Sequence, residues 1–466
     1  AAFATRRRRR ILLCRILSCF TGNCIPKRGA TCHSGKIVKP CSRDTHLRAK
    51  KSLPEQLHPG GTWAQRKESR MKDGFLRVAA ASVDVKVADP VFNKESIMKT
   101  VKKAQERRVK VLVLPELVMS AYTCGDLFWQ KPLLEESRKQ LGELLCETAD
   151  ISMVIVAGTP LVVHQKLYNC AVFMYKGRIL GVVPKHYLPN YSEFYEARHF
   201  TPCKREVEMI RLLGQEVPFG MNILFCCENM ENLVLAAEIC EDLWVPLPPS
   251  TFHALAGATV ICNPSASDET TTKDAYRREL VSSQSARLVC AYIYSSAGEG
   301  ESTQDLVYSG HNMITEYGTV LAESERFENH YTEAEIDLER LAADRRKTST
   351  FVTGDGGQSY HKVYFTLEEE ETELNRYFSR TPFIPSNKED RDKRCDEILT
   401  IQAMGLKKRL AHTGCRHAVI GISGGLDSTL AVLVTARAFD MLNLPRAGII
   451  CVTMPCFGTT DSTYSN

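Results

Sequence analysis

The chain has 466 residues, of which 44% are hydrophobic and 25% are charged, a composition typical of a globular protein and not of a disordered one. That length allows two or three domains. The net charge of +5 is unevenly distributed, because residues 1–70 contain 17 Lys and Arg against three acidic residues, leaving about −9 for the remainder. The overall positive charge is therefore no sign that the folded part binds nucleic acid.

Residues 1–70 form a basic extension. Arg6–Arg10 precede the apolar segment Ile11–Phe20, which is too short to span a bilayer, and no acidic residue occurs before Asp44. Such an Arg-rich, acid-poor start fits an organelle transit peptide. The absence of an initial Met and the presence of Met71 fit an extended gene model or a fragment equally well. We expect a disordered or artefactual extension, with organelle targeting as the alternative, and the lack of interleaved aromatic residues disfavours a nucleic-acid-binding arm.

The chain contains 18 cysteines, of which five lie in the extension at spacings unlike those of zinc sites. The others are scattered along the sequence. This distribution predicts reduced thiols in a cytoplasmic protein and no disulfide framework.

From Phe75 onward the sequence alternates between predicted strands and helices, with hairpin turns at Lys176-Gly177 and Tyr317-Gly318. The first predicted strand begins at Leu76, and the first predicted helix covers Pro90 to Arg108. This order of elements predicts an α/β domain built in layers, which we place at residues 71–344.

Three predicted strands end at a residue with catalytic potential. The strand Val109–Leu114 is closed by Pro115 and followed by Glu116. The strand Arg178–Val183 is closed by Pro184 and followed by Lys185. The strand Leu233–Ile239 is followed directly by Cys240. Taken singly, Glu116 fits a surface carboxylate, Lys185 a surface amine and Cys240 a buried thiol better than they fit catalytic residues. Ligands bind beside the carboxyl ends of strands in α/β sheets, so together the three predict an active site.

The three residue types suit the cleavage of a carboxamide. A free thiol has a pKa of about 8.5, so attack at neutral pH needs a base, and Glu116 is the candidate. Lys185 and a backbone N–H could stabilise the negative charge that forms on the carbonyl oxygen. The product of attack by Cys240 would be a thioester, which water activated by Glu116 would then hydrolyse.

Three segments, Leu114–Tyr122, Lys185–Phe200 and Glu238–Trp244, resemble the signature segments of the nitrilase superfamily, and within it the glutaminase domains of glutamine-dependent NAD synthetases. The resemblance implies an α-β-β-α sandwich that cleaves glutamine, with Glu116 as base, Lys185 as stabiliser of the intermediate and Cys240 as nucleophile. It also implies that Glu196, in a Glu-x-Arg-x-Phe pattern, orients the site. The other interpretation of Glu196 is an ordinary surface ion pair.

Residues 345–399 are charged and interrupted by Gly and Pro, and they include the acidic run Glu368–Glu371. This composition predicts a linker.

A second motif follows the linker. The predicted strand Ala418–Ile422, the loop Ser423-Gly-Gly-Leu-Asp-Ser428 and the predicted helix Thr429–Phe439 place free N–H groups where a pyrophosphate could bind. The loop lacks the Gly-Lys-Ser/Thr of a Walker A motif. It resembles the PP-loop of adenylate-forming enzymes, and we place the N-terminal part of such a doubly wound nucleotide-binding domain at residues 400–466.

The PP-loop resemblance implies an ATP site and a magnesium ligand. The residues concerned are Ser423, Gly424, Gly425, Asp427 and Ser428 for ATP, with Asp427 also holding Mg²⁺. The alternative for Asp427 is a favourable interaction with the helix dipole. A complete doubly wound domain needs well over 100 residues, so we expect a truncated domain before Asn466.

The two resemblances together imply a glutamine-hydrolysing NAD synthetase. The complete enzyme would release ammonia from glutamine and use ATP to amidate deamido-NAD to NAD, yielding AMP and pyrophosphate; we expect this chain to retain the glutaminase half only. The expected partners are these small molecules and further copies of the chain, with no nucleic acid and no membrane. The alternatives are a stand-alone amidase, a tRNA-thiolating ATP pyrophosphatase and a catalytically inactive scaffold.

Overall fold

The computed structural model of the protein describes residues 74–354, 358–368, 370 and 373–454. The predicted extension, residues 1–70, lies outside the described residues, as does the chain after residue 454.

Strands account for most of the regular structure between residues 75 and 365, and two more follow near the C-terminal end of the described chain. They are β1 (Phe75–Ala81), β2 (Val111–Val113), β3 (Val154–Val163), β4 (Lys166–Tyr175), β5 (Arg178–Pro184), β6 (Glu208–Leu212), β7 (Gln215–Phe219), β8 (Ile223–Cys227), β9 (Val234–Ala237), β10 (Val260–Ser265), β11 (Ala291–Ser296), β12 (Met313–Glu316), β13 (Thr319–Glu323), β14 (Tyr331–Asp337), β15 (His361–Phe365), β16 (Ala418–Ile422) and β17 (Ile449–Thr453).

Helices lie between these strands, and short 3-10 turns cover Gly125–Trp129, Cys240–Leu243 and Arg446–Gly448. The α-helices are α1 (Pro90–Glu106), α2 (Lys131–Glu147), α3 (Glu196–His199), α4 (Pro249–Leu255), α5 (Lys273–Leu288), α6 (Leu338–Lys347), α7 (Lys388–Thr413) and α8 (Leu426–Met441).

The first fifteen strands form two sheets. The first sheet has the order β14-β1-β2-β3-β4-β5-β7-β6, and the second has the order β13-β12-β11-β10-β9-β8-β15. Strands β1, β2 and β3 run parallel to one another, as do β9, β10 and β11. The carboxyl ends of each parallel group therefore lie at one edge of its sheet, where the residues that follow can meet.

The two sheets pack face to face, and helices cover their outer faces. Leu76 and Val78 of β1 belong to the core between the sheets, where the rings of Phe173 and Phe225 stack with centroids 3.9 Å apart. Ala79 of β1 points to the other face, against the buried side chains of α1 and α2. Helices α4 and α5 cover the second sheet in the same way. The predicted α-β-β-α sandwich is confirmed.

Helix α1 shows how the sequence fixes these layers. The side chain of Asp89 accepts a hydrogen bond from Phe92 N (3.1 Å), and Pro90 occupies the first helical position. A proline there loses no intrahelical bond, and the cap satisfies one free amide. One face of the helix is buried, through Ile97, Val101 and other residues at helical spacing. Each large apolar side chain buried in this way contributes roughly 1.5–3 kcal/mol to the stability of the fold.

The stretch predicted as a linker is partly structured. His361–Phe365 forms β15 at the edge of the second sheet, parallel to β8, with Phe365 opposite Cys227. Helix α7 begins at Lys388, inside residues 345–399. Part of the predicted linker is therefore an edge strand of the sandwich, and another part is helical.

Residues 388–454 form a separate, smaller core. Strands β16 and β17 pair in parallel, and α7 and α8 bury Leu410, Val434 and Phe439 against each other. The sequence prediction of a strand, a glycine loop and a helix in this region is confirmed. No helix in the part of the chain that the structure describes is both long enough and apolar enough to cross a membrane.

Candidate active site

The three predicted strand exits meet between the two sheets. Glu116 follows β2 and Lys185 follows β5 in the first sheet, while Cys240 follows β9 in the second. Lys185 Nζ lies 2.7 Å from Glu116 Oε1, and both side chains are fully buried. Glu196, the first residue of α3, also reaches the ammonium, with Oε1 2.6 Å from Nζ. The structure thus brings all four residues of the predicted glutaminase site together.

The ammonium of Lys185 is held charged by its neighbours. Burial by itself would lower the pKa of Lys185, but the carboxylates of Glu116 and Glu196 outweigh burial and hold the pKa well above its usual value. Burial raises the pKa of Glu196 to about 7, with Lys185 opposing the shift and Glu116 adding to it. The cluster contains one cation and two buried carboxyl groups. Near neutral pH, the carboxyl group of Glu196 therefore readily holds a proton.

The thiol of Cys240 is protonated at rest. Burial and the charge of Glu116 raise the pKa of Cys240 above its usual value, and Lys185 offsets only part of that shift. The residue also has a left-handed backbone, with φ of +45°, a conformation that is uncommon outside glycine. Its N–H donates to Asn263 Oδ1 (3.2 Å). Attack by this thiol therefore requires that a base remove its proton as the new bond forms.

The carboxylate of Glu116 is oriented by groups from both sheets. Asn169 Nδ2 donates to Glu116 Oε1 (2.5 Å), and the backbone N–H of Ala266 donates to Oε2 (2.9 Å). Glu116 N itself donates to the carbonyl oxygen of Ser265 (3.2 Å). The base is thus fixed in one position relative to the second sheet, which carries Cys240.

Two further residues support the cluster. Tyr122 Oη donates to Glu196 Oε1 (2.7 Å). Asp242 accepts from the backbone N–H groups of Tyr187 (2.8 Å) and Ile239 (3.0 Å), so it connects the segment after Lys185 to the segment before Cys240. No role was predicted for Tyr122 or Asp242, although both lie within the segments that carry the family resemblance.

A cavity of about 160 Å³ adjoins the cluster. Its lining includes Glu196, Tyr122, Phe128 and Tyr308, but not Cys240. The half-buried carboxyl group of Glu241, next to the thiol, accepts a hydrogen bond from Tyr191 Oη (2.8 Å). The space beside the cluster is therefore bordered by aromatic side chains and carboxyl groups.

The predicted phosphate loop lies on the surface between β16 and α8. Gly424 has a φ of +74°, which suits glycine, and Gly425 caps the helix with Leu426 exposed beyond it. The first amides of a helix lack intrahelical acceptors, so this loop fits an anionic phosphate group. Asp427 lies in the first turn of α8. Across the described residues, no group of three or more His, Cys, Asp or Glu side chains is arranged to hold a metal ion.

Comparison with known protein families agrees with this geometry. A family model described as carbon-nitrogen hydrolase matches residues 77–346, more than half of the chain. The chain belongs to the carbon-nitrogen hydrolase family. A second model, described as NAD synthase, matches residues 398–465. The resemblance predicted from three short segments is thus confirmed at the level of the family.

Several relatives of this carbon-nitrogen hydrolase carry the name glutamine-dependent NAD(+) synthetase. The protein of Mycobacterium tuberculosis (strain ATCC 25618 / H37Rv) is 39% identical over 407 residues, which cover 85% of this chain and 60% of the relative. The protein of Mycobacterium leprae (strain TN) is 40% identical over 402 residues, covering 84% and 59%. The chain therefore spans about 60% of the length of these relatives.

A solved structure agrees on the fold. The crystal structure of a glutamine-dependent NAD(+) synthetase from Cytophaga hutchinsonii matches this carbon-nitrogen hydrolase with a TM-score of 0.51 and 22% identity, covering 84% of this chain and 62% of that one. At that identity the likeness bears on the fold alone.

Proposed function

We propose that this chain releases ammonia from glutamine and belongs to an enzyme that uses this ammonia for the ATP-dependent amidation of deamido-NAD to NAD. The observation that carries the proposal is the convergence of Cys240, Glu116 and Lys185 in one buried cluster. The names of the relatives and the NAD synthase match at residues 398–465 support the assignment to that pathway rather than to a stand-alone amidase.

The proposed reaction begins with a proton transfer. Glu116 removes the thiol proton while Cys240 Sγ attacks the carboxamide carbon of glutamine, and the carbonyl oxygen takes up the electron pair of the C=O bond. The proton held by Glu116 then passes to the nitrogen as the C–N bond breaks. Ammonia departs and a thioester to Cys240 remains. A water molecule that gives its proton to Glu116 hydrolyses the thioester, so glutamate leaves and the thiol is restored.

The negative charge that forms on the carbonyl oxygen meets two donors. The Lys185 ammonium is the first, and its raised pKa keeps it charged. The backbone N–H of Cys240 is already donated to Asn263, so the second donor is the N–H of Glu241, which lies in the first turn of the 3-10 turn Cys240–Leu243. Glu196 holds Lys185 in place from the other side, which makes it a positioning residue.

The nucleotide half of the proposal rests on the surface loop. Ser423, Gly424, Gly425 and Ser428 would hold the phosphate groups of ATP through backbone N–H and hydroxyl groups, and Asp427 would help to hold Mg²⁺. The bound nucleotide would activate the nicotinate carboxylate of deamido-NAD as an adenylate with release of pyrophosphate. A cytoplasmic location and a homo-oligomeric assembly stay predictions.

The decisive experiment is a glutaminase assay. The full chain is incubated with glutamine, and ammonia and glutamate are measured beside the Cys240→Ala variant. We expect equal amounts of the two products from the parent and none above background from the variant, whose circular dichroism spectrum should match that of the parent. Sustained ammonia release by the variant would remove Cys240 from the proposed role, and no release by the parent would refute the glutaminase proposal.

A further inference from the structure

A further buried carboxylate lies two residues before the nucleophile. Glu238 is 1% exposed and belongs to the layer between the second sheet and its covering helices. Each of its carboxylate oxygens accepts a hydrogen bond: Oε1 from Tyr292 Oη (2.6 Å) and Oε2 from the backbone N–H of Ser250 (2.7 Å). The proposed reaction makes no use of this group.

A chain of hydrogen bonds connects Glu238 to Cys240 through the two neighbouring strands. Tyr292, on β11, accepts at Oη from Asn263 Nδ2 (2.8 Å). Asn263, on β10, accepts at Oδ1 from the N–H of Cys240 (3.2 Å). All three residues of this Glu238 relay, namely Glu238, Tyr292 and Asn263, are buried to 1% exposure or less.

The carboxylate determines the direction of every bond in the relay. Burial raises the pKa of Glu238 to about 7, so the carboxyl group is ionised above that pH. An ionised carboxylate can only accept, so Tyr292 then donates its single hydroxyl proton to Glu238. The hydroxyl oxygen of Tyr292 is then left to accept, which places the NH₂ group of Asn263 towards it. The amide oxygen of Asn263 therefore faces the N–H of Cys240. Without the carboxylate, the side-chain amide of Asn263 could turn over and present a donor to that N–H.

The Cys240 backbone depends on this acceptor. A non-glycine residue at a φ of +45° persists only where its surroundings hold it. Asn263 Oδ1 also accepts from Ser265 Oγ (2.6 Å), and the carbonyl oxygen of Ser265 accepts from Glu116 N (3.2 Å). One side-chain amide thus connects the nucleophile to the strand end against which the base is fixed.

We propose that Glu238 is a positioning residue for Cys240, acting through Tyr292 and Asn263 to fix the orientation of the nucleophile towards Glu116 and Lys185. The inference rests on the proposed glutaminase function for its catalytic consequence, but not for the arrangement of the thiol. A carboxylate that only stabilised the core would change the stability of the protein and leave the rate per folded molecule unchanged.

The test uses two variants with matched controls. Glu238→Gln keeps the shape of the side chain but offers one acceptor to two donors, and Tyr292→Phe removes only the hydroxyl group of the relay. Glu316→Gln makes the same change at a carboxylate 1% exposed, opposite the first residue of β11 and far from the strand's carboxyl end. Tyr175→Phe removes the hydroxyl group of another buried tyrosine, one whose contact with Ser152 Oγ (3.1 Å) is partly buried.

The folded full chain is studied at about pH 8, where Glu238 is ionised. Steady-state kinetics give kcat and KM for glutamine. Peptide mass spectrometry gives the rate at which iodoacetamide alkylates Cys240, with the exposed Cys146 as internal reference. We expect kcat to fall by about 10- to 100-fold in both relay variants with KM nearly unchanged, because misplacement by about 1 Å has that effect. Alkylation of Cys240, but not of Cys146, should slow as well.

The inference is overturned if both relay variants keep the parental kcat and Cys240 alkylation rate, or lose no more than their controls. Should Glu238→Gln fail to fold, Tyr292→Phe decides the matter alone. If the parent releases no ammonia from glutamine, the proposed function fails, and the alkylation rates still decide whether the relay positions the thiol.

Discussion

Charge at the scale of single residues determines how the site can work. The thiol of Cys240 is buried with its pKa raised, whereas the ammonium of Lys185 is kept charged by two carboxylates. An enzyme with a pre-formed thiolate would show the opposite shift at the cysteine. The directions of these two pKa shifts therefore favour general-base catalysis over a standing thiolate–ammonium pair.

The first prediction concerns the base. Glu116→Gln should lower kcat for glutamine by about 10²- to 10⁴-fold, since the amide cannot accept the thiol proton. The Gln side chain can still bond to Lys185 and Asn169, so the loss should lie in kcat more than in KM. Steady-state kinetics measure this, with thermal unfolding as the check on folding. A variant with more than a tenth of the parental kcat would contradict the assignment of Glu116 as base.

The second prediction concerns a glycine behind the base. A Cβ atom at Gly158 would lie 2.5 Å from the carbonyl oxygen of Pro115 and closer still to Leu117 N, so Gly158→Ala must displace the backbone that carries Glu116. We expect a loss of about 1–3 kcal/mol in the free energy of unfolding and a fall in kcat of about 100-fold.

The matched control for this change is Gly405→Ala in α7, where an added Cβ has no neighbour within 4 Å. That variant should gain up to about 1 kcal/mol in helix stability and keep its glutaminase activity. Denaturant unfolding and the ammonia assay are applied to both variants. Equal behaviour of the two would show that close packing at Gly158 does not hold Glu116.

At the scale of elements, Arg376 makes the most highly connected of the contacts that attach the chain after the sandwich, beside backbone contacts of Asn375 to Glu335 and a ring contact of Phe378 with Phe75. Arg376 NH1 and NH2 contact the fully buried carboxylate of Glu316 at 2.7 and 2.6 Å, and NH1 also donates to the carbonyl oxygen of Glu335 (2.8 Å). The Arg376 guanidinium also lies 5.8 Å from the ring centroids of Phe75 and Phe378. A bidentate pair with one buried partner is strong and directional, so this contact fixes where the segment leaves the sandwich.

The third prediction follows from that contact. Arg376→Ala leaves Glu316 with the N–H of Asp337 (2.6 Å) and, as its remaining cation, the more distant Arg340 (3.5 Å). Breaking a buried ion pair in this way costs up to about 3–5 kcal/mol. Denaturant unfolding measures the loss. The control is Arg391→Ala on the exposed part of α7, which should stay within about 0.5 kcal/mol of the parent. A loss no larger than that of the control would mean that the segment is held by other contacts.

Elements with a clear local pattern could be predicted from the sequence. Strands β2 and β5 are apolar runs closed by proline, and this is why the positions of Glu116 and Lys185 at strand exits were predicted correctly. Helix α5 was missed because its buried face includes Arg277, paired with Glu269, so its apolar periodicity is weak. Edge strand β15 was missed because four of its five residues are not fully buried.

Residues that act through distant neighbours could not be predicted in this way. Asn169 reaches Glu116 because β4 and β5 pair in a register that places Cys170 opposite Pro184, beside Lys185. Asn263 and Tyr292 meet because β10 and β11 are neighbours in the second sheet. A single sequence contains no local signal for contacts across 29 or 53 positions, which depend on sheet order.

At the scale of the whole molecule, buried titratable groups give opposing contributions to stability. Burial raises the pKa of Glu238 to about 7 and that of Asp242 to about 6. The folded chain thus keeps protons that the unfolded chain releases from about pH 4 upward, so these groups make the free energy of unfolding fall as the pH rises towards 7. A buried histidine acts in the opposite direction.

That histidine is His253, which is fully buried on α4. Its Nε2 lies 3.1 Å from the carbonyl oxygen of Ala237 and its Nδ1 lies 2.9 Å from Tyr360 Oη. A neutral ring satisfies both contacts, with Nε2–H donating and Nδ1 accepting. Burial lowers the pKa of His253 to about 4, with the Ala237 carbonyl opposing the shift.

The fourth prediction is that His253 contributes stability that is complete above pH 6.5 and is lost as the pH falls to about 4. In that interval the unfolded chain binds a proton that the folded chain excludes. This difference in proton binding lowers the free energy of unfolding by about 3 kcal/mol. His253→Gln keeps one donor for Ala237 and one acceptor for Tyr360 but cannot titrate. Relative to the parent, the variant should therefore gain about 3 kcal/mol in the free energy of unfolding between pH 7 and pH 4. Urea unfolding of both proteins across this range measures the difference, in which the carboxyl contributions common to both cancel.

The exposed His412→Gln is the control and should follow the parent at every pH. Parallel pH curves for the parent and His253→Gln would mean that the folded protein accommodates a protonated His253.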